Sequence, residues 1–287
     1  MNMTILLGAL ELGGMFAILS LGLFISYKIL NLPDLTVDGS FTLGCAVSAV
    51  LTVHSSPYLG LFLSFVAGCL AGLITALFIT KIKIMPLLSG ILTMTALYSI
   101  NLRIMGDSPT ISILDEETIF HSLSFVEPYD KIILIFILLL LIILCLHYFL
   151  RTQLGLALRA CGDNEDMVRA SSIDTDKMKI LGLSLANGLV ALSGAVFTQH
   201  QAFADINSGT GMMVIGLASI IVGTTFIKRD KIIFQLFAVV FGAIFYRGIL
   251  TIALQLGLPS GDLKLLSALL VVIAIASTQL KRRKQTC

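Results

Sequence analysis

The segment Asn31-Leu-Pro-Asp-Leu-Thr-Val-Asp-Gly-Ser-Phe-Thr-Leu-Gly44 places two carboxylates, Asp34 and Asp38, among hydroxyls and helix breakers. Pro33 and Gly39 oppose a continuous helix. Asp34, Asp38 and Ser40 are good N-caps for the run that follows, which ends near His54 and is short for a membrane crossing. A helix interrupted at membrane depth presents free N–H groups, and its positive dipole end favours a carboxylate or another polar group. Carboxylates at that depth are costly unless hydrogen-bonded or functional. On this reading Asp34, Thr36, Asp38, Gly39 and Ser40 line a path for a polar solute. Asn187, in a later helix, either lines the same path or hydrogen-bonds across a dimer. The plainer alternative is a cytoplasmic loop with capping aspartates, and both stay open.

A fainter echo follows in Asp205-Ile-Asn-Ser-Gly-Thr-Gly211, where Gly211 and Gly216 repeat the spacing of Gly39 and Gly44. Two interruptions in corresponding halves would point to a site between internal repeats.

The third informative stretch is residues 151–177, longer than a turn between membrane helices requires. Leu154, Leu158 and Cys161 form an apolar stripe at helical spacing. Gly162 is expected to stop that helix, and Asp163 or Asn164 to cap a second short one carrying Met167, Val168 and Ser171. An exposed helix-turn-helix suits docking into a groove of a soluble partner, whereas the alternative is a helix lying on membrane lipid.

Membrane helices must position these segments. Of 287 residues 57% are hydrophobic and 13% charged, with mean hydropathy +0.99; soluble domains carry about a quarter charged residues. One crossing takes roughly 20 apolar residues. The expected fold is therefore all-α and polytopic, about 8–10 helices in a single transmembrane domain over 1–287, with the break in or before the second. The apolar runs are 4–27, 40–55, 57–80, 84–105, 131–150, 178–200, 209–227, 231–254 and 263–280. The N-terminus lacks a secretory signal, so the first run reads as a retained helix.

Basic residues occupy alternate connectors: Lys81 and Lys83; Arg151, Arg159, Arg169, Lys177 and Lys179; Lys228, Arg229 and Lys231; and a tail from Lys281 to Lys284. The connector 106–130 is acidic and has no Lys or Arg. The positive-inside rule then puts 106–130 outside, 151–177 in the cytoplasm and the C-terminus in the cytoplasm. Small residues at Gly60, Ser64, Gly68 and Gly72, and at Ser184, Gly188, Ala191 and Ala195, read as helix-packing ridges. The five cysteines show no metal or disulfide spacing. Arg247, costing about 2.5–3.5 kcal/mol at a helix centre, is expected to pair with Asp262 or Asp107 or to snorkel.

The run Thr152-x-Leu-Gly-x-x-Leu-Arg-Ala-x-Gly-Asp-Asn164 resembles the coupling-helix region of branched-chain amino acid permeases of ATP-binding cassette importers. Residues 32–41 resemble a narrower branch associated with tryptophan or tyrosine uptake. The resemblance covers nearly the whole chain. It implies a permease homodimer in the bacterial plasma membrane, with ATP-binding subunits below and an extracytoplasmic solute-binding protein above. Gly155, Leu158, Arg159, Ala160, Gly162, Asp163 and Asn164 would then engage the ATPase. The acidic loop, with a short helix from Asp115 to Ser124, would face the binding protein. No phosphate loop is present, so ATP hydrolysis falls to another subunit.

No cofactor, metal or nucleic-acid partner is expected. Neither motif identifies the solute: an amino acid is favoured by resemblance, while a nucleoside, sugar or vitamin fits the same architecture. An ion-coupled secondary transporter stays as the alternative; that class usually needs intramembrane acidic or histidine relays, and outside 34–38 this chain has few. An intramembrane enzyme would need a nucleophile–base or metal constellation, and the sequence offers none.

Overall fold

The computed structural model describes residues 3–114, 116–121, 129–227, 231–262, 265–270 and 272. The first helix, α1 (Met3–Leu23), loosens into a π-helical turn, Phe24–Ile29, and Asn31 turns the chain in the left-handed region at φ 55°. Then come α2 (Thr36–Val53), α3 (Pro57–Thr80) and α4 (Pro86–Ile104), the last two opened by prolines whose missing N–H costs nothing in a first turn. The helix α5 (Asp130–Phe149) leads into two short helices, α6 (Gln153–Asp163) and α7 (Glu165–Ala170). The longest helix, α8 (Thr175–Gln201), is followed by α9 (Met212–Phe226) and α10 (Ile232–Gln255).

Seven described helical segments are long and apolar enough to cross a membrane; α9, with 15 residues, is shorter. At about 1.5 Å per residue α9 spans roughly 22 Å, short of the ~30 Å hydrocarbon layer. Of the run expected at 263–280, residues 265–270 are helical and most of the rest lies outside the described residues, as does the basic tail; of the short helix expected from Asp115 to Ser124, the described residues 116–121 form turns and not an α-helix, with Ile119 N donating to Gln199 Oε1 of α8.

The centre of the bundle is α8. It runs antiparallel to α1, with the Ser193 hydroxyl donating to Met15 O and His200 Nε2 2.9 Å from Glu11 Oε2. It runs parallel to α2, where Cys45 faces Gly194 O and Gln199 Nε2 donates to Ser48 Oγ. The small-residue ridges close this centre. A Cβ at Gly68 would collide with Asn187 O, and one at Gly44 with Ala191 O. Such approach matters because lipid is as apolar as the helices and gives no hydrophobic drive to their association. Large apolar residues on α3, α4 and α5, such as Phe62, Leu70, Leu88 and Ile137, stay exposed, as a lipid-facing surface requires.

A two-stranded antiparallel ribbon joins β1 (Thr110–Ser112) to β2 (Phe203–Asp205), pairing Ile111 with Ala204. It ties the acidic connector to the end of α8, so both emerge on one side of the bundle. Cys45 and Cys161 are buried, whereas Cys145 is exposed on α5.

Replacing Gly68 by Leu forces α3 and α8 apart, an overpacking cost of about 1–3 kcal/mol or more because the opposing atom is backbone. The yield of monodisperse protein in fluorescence-detected size exclusion should fall sharply, while Gly8→Leu, where a Cβ meets nothing within 4 Å, leaves it unchanged.

Candidate functional site

The second helix starts at Thr36, four residues before the expected run at 40–55, because Asp34 holds its first turn: Thr36 N donates to Asp34 Oδ1 at 2.9 Å. Gly39 does not break the helix. It lies inside α2, where a Cβ would press on Leu97 and Met94 of α4. The other Asp34 oxygen accepts from Asn187 Nδ2 at 2.7 Å, and Ser40 Oγ donates to Asn187 Oδ1 at 2.7 Å. Asn187 stands near the middle of α8, so the start of α2 is set well inside the bundle. Thr36 continues the network through Thr75 to Thr93 at 2.8 and 3.0 Å. Asp34 is 2% exposed, and Thr36, Ser40 and Asn187 are fully buried. Stripping water from a lone carboxylate costs several kcal/mol; one donor on each of its oxygens and a helix N-terminus, at about 1.5–3 kcal/mol per charge-assisted bond, offset that cost.

Asp38 does not cap its own helix. Its Oδ2 accepts from Gly211 N and its Oδ1 from Met213 N, both at 2.9 Å, so it caps α9 from across the bundle. Thr42 Oγ1 accepts from Gly209 N at 3.1 Å and donates to Asp38 O at 3.1 Å. Gly211, at φ 88°, makes the left-handed turn that aims α9. The loop before it is shaped locally: Asn207 N donates to Asp205 Oδ1 and Thr210 Oγ1 to Asn207 O.

The faint echo in the sequence is therefore a second break, and it meets the first. Contacts such as Gly242 with Ser219 set α10 antiparallel to α9, and Gly13 against Ile244 together with the shared face of Leu6 and Gln255 sets α10 antiparallel to α1. It follows that α9 and α2 leave a common depth in opposite directions, N-terminus beside N-terminus. Two positive dipole ends, each worth about half a charge, face two carboxylates. The residues supplying this closure that sequence reasoning missed are Thr42, Gly209, Met213 and Asn101, whose Nδ2 donates to Gly39 O at 3.3 Å. A polar Asn101 inside an apolar run was the one visible signal. Arg247 pairs with neither Asp262 nor Asp107 among the described ion pairs; its guanidinium lies 5.5 Å from the centre of the Phe16 ring.

At the other end, α6 is capped by Thr152, whose Oγ1 accepts from Gly155 N, and α7 by Asn164, whose Oδ1 accepts from Met167 N. The helix passes Gly162 and ends at Asp163, so Gly162 does not stop it. Its lack of a side chain instead lets α6 sit on Ile29 O. Gly155, Leu158 and Cys161 face the bundle, whereas Ala160, Asp163 and Asn164 are exposed together with Leu154, Leu156 and Met167. Arg159 and Gly162 are half-buried. The sequence-predicted set thus splits into an inner face that carries the hairpin and an outer face free to bind.

Glu165 fixes the hairpin to α8. Lys179 Nζ is 2.7 Å from both its oxygens, and Arg169 Nη2 is 2.9 Å away. The Lys179 hydrogen bonds hold the Glu165 carboxyl below its ordinary value. A depressed carboxyl stabilises the fold above its unfolded value, about 4.3, and loses that contribution as pH falls through the lower folded one. The melting-temperature gap between wild type and Glu165→Gln should hold from pH 7 to about 5 and close below about 4; a gap independent of pH would remove the ion pair from this role.

A family model described as "Branched-chain amino acid transport system / permease component" matches residues 5–276. The chain is 40% identical over 265 residues to a tyrosine transport system permease protein of Clostridioides difficile, covering 92% of this chain and 88% of that one. It is 27% identical to a probable branched-chain amino acid transport permease of Methanocaldococcus jannaschii, over 74% of this chain and 70% of that one. A ribose import permease of Haemophilus influenzae is 24% identical over 75% of this chain and 67% of its own length. No solved structure matches the chain.

Proposed function

The chain belongs to the family of branched-chain amino acid transport permeases, and from that premise we propose that it carries an aromatic amino acid, tyrosine or a close chemical relative, into the cell. The observation that carries the solute assignment is the 40% identity, across nearly the whole chain, with a tyrosine transport permease. Members of this family work as the membrane subunit of ATP-binding cassette importers, with ATP-binding subunits and a solute-binding protein as partners.

In this reading two copies of the chain form the permease, in contact with membrane lipid, and the C-terminus lies in the cytoplasm by the charge of its connectors. The exposed face of the α6–α7 hairpin, from Leu154 through Ala160, Asp163 and Asn164 to Met167, engages the ATPase. The inner face rests on the end of α5 through Gly155, on α8 through Leu158 and on the turn at Ile29 through Gly162, so a push on the hairpin reaches the helix that also carries Asn187, the partner of Asp34. Asp38 and Gly39 border the solute path, and Asp34, Thr36, Ser40 and Asn187 are the buried support behind them. The geometry favours this over a plain loop because two broken helices converge there, the arrangement that builds midplane sites in transporters.

Cells producing the permease with its ATPase and binding protein should take up radiolabelled L-tyrosine against excess ribose; competition by ribose instead would replace the solute assignment. Charge reversal at Arg159 and Asp163 should leave membrane insertion intact and abolish co-purification with the ATPase. Asp38→Asn, which weakens two charge-assisted hydrogen bonds, should lower uptake by about tenfold at equal protein level; uptake that tracks protein level alone would take Asp38 out of the path.

A further inference from the structure

Beside the junction of α2 and α9 lies a cavity of about 50 Å³, bordered by Asp38, Thr42, Met94, Tyr98, Asn101 and Thr210. Asn101 is 1% exposed, and its Oδ1 has no hydrogen-bond donor. Rotating the amide would not cure this, because it would set that oxygen against Gly39 O, which now accepts from Nδ2. An unpaired buried oxygen is a standing cost, and such atoms call for a partner that is absent or transient. Next to it is the half-buried Asp38. Each of its oxygens takes one backbone N–H and keeps acceptor capacity for another. No described ion pair reaches Asp38 or Asp34. Of the nearby buried donors, Thr42 Oγ1 is committed to Asp38 O, and Asn101 Nδ2 gives one of its two N–H groups to Gly39 O.

The complement of an open amide oxygen and a carboxylate with spare acceptor capacity is a compact group with several donors and a positive charge. We infer that this cavity seats the primary ammonium group of the transported solute, received by Asn101 Oδ1 and Asp38. A space of this size holds such a head or a few waters, but not a whole amino acid. The remainder of the solute lies outward along Met94 and Tyr98, the latter 52% exposed on α4. The inference rests on the proposed transport of an amino acid and adds which end of it the permease recognises. It also assigns Asn101 and Tyr98 to the site.

The test is binding of tritiated tyramine, which keeps the ammonium and the phenol ring but has no carboxylate, to the permease–ATPase complex in nanodiscs by scintillation proximity. Tyramine should bind and be displaced by L-tyrosine. It should not be displaced by 3-(4-hydroxyphenyl)propanoate, which lacks the ammonium. Asn101→Leu, of nearly the same shape, should weaken binding about tenfold or more, the loss of one charge-assisted bond, while co-purification with the ATPase stays at the wild-type level. Absence of tyramine binding, equal displacement by the propanoate, or wild-type affinity in Asn101→Leu would overturn the inference even if tyrosine uptake stands. Asn101-dependent tyramine binding that L-tyrosine does not displace would support the ammonium seat and overturn the choice of solute.

Discussion

The arrangement of this bundle turns on one carboxylate. Asp38 reaches from the first turn of α2 to the N–H groups of Gly211 and Met213 and so starts α9 at the depth where α2 begins. Without an acceptor there, the first turn of α9 would leave donors unpaired inside an apolar bundle, where no water replaces the bond. Without those donors, Asp38 would be a bare charge in the same place. Each group makes the other tolerable, and together they hold the N-termini of α2 and α9 side by side, α9 being too short to span the membrane alone.

Around this junction the packing follows from carbonyls and missing side chains. The approach of α3 and α2 to α8 is set by Gly68, Gly72 and Gly44 lying on backbone oxygens of α8. Close packing of this kind is stiff, and it places Asn187 within reach of both Asp34 and Ser40. The α6–α7 hairpin rests on the same helix through Glu165 and Lys179, and on the turn after α1 through Gly162 against Ile29. One rigid element therefore joins the exposed face of the hairpin to the buried carboxylates, which in the proposed reading is the physical route by which a motor's movement reaches the solute path.

Much of this could be read in the residues. The apolar runs, the break near Pro33, the capping role of Asn164, the small-residue ridges and the exposed hairpin are local patterns, and local patterns survive folding because helix geometry is set by neighbours three and four residues away. Other readings failed where the deciding partner was distant. Gly39 looked like a breaker and is a contact with α4; Gly162 looked like a stop and is a seat for Ile29. Arg247 looked like half of an ion pair and lies over Phe16.

By itself the sequence determined that this chain is a multi-spanning membrane protein, where its helices begin and end within a few residues, and which segments carry polar groups worth explaining. Tertiary structure alone decided what those groups do. Asp38 is satisfied by backbone N–H groups more than 170 residues away, and a backbone donor leaves no mark in the residue types that supply it. Asn101 gained its meaning only when Gly39 took its amide hydrogen and left its oxygen open.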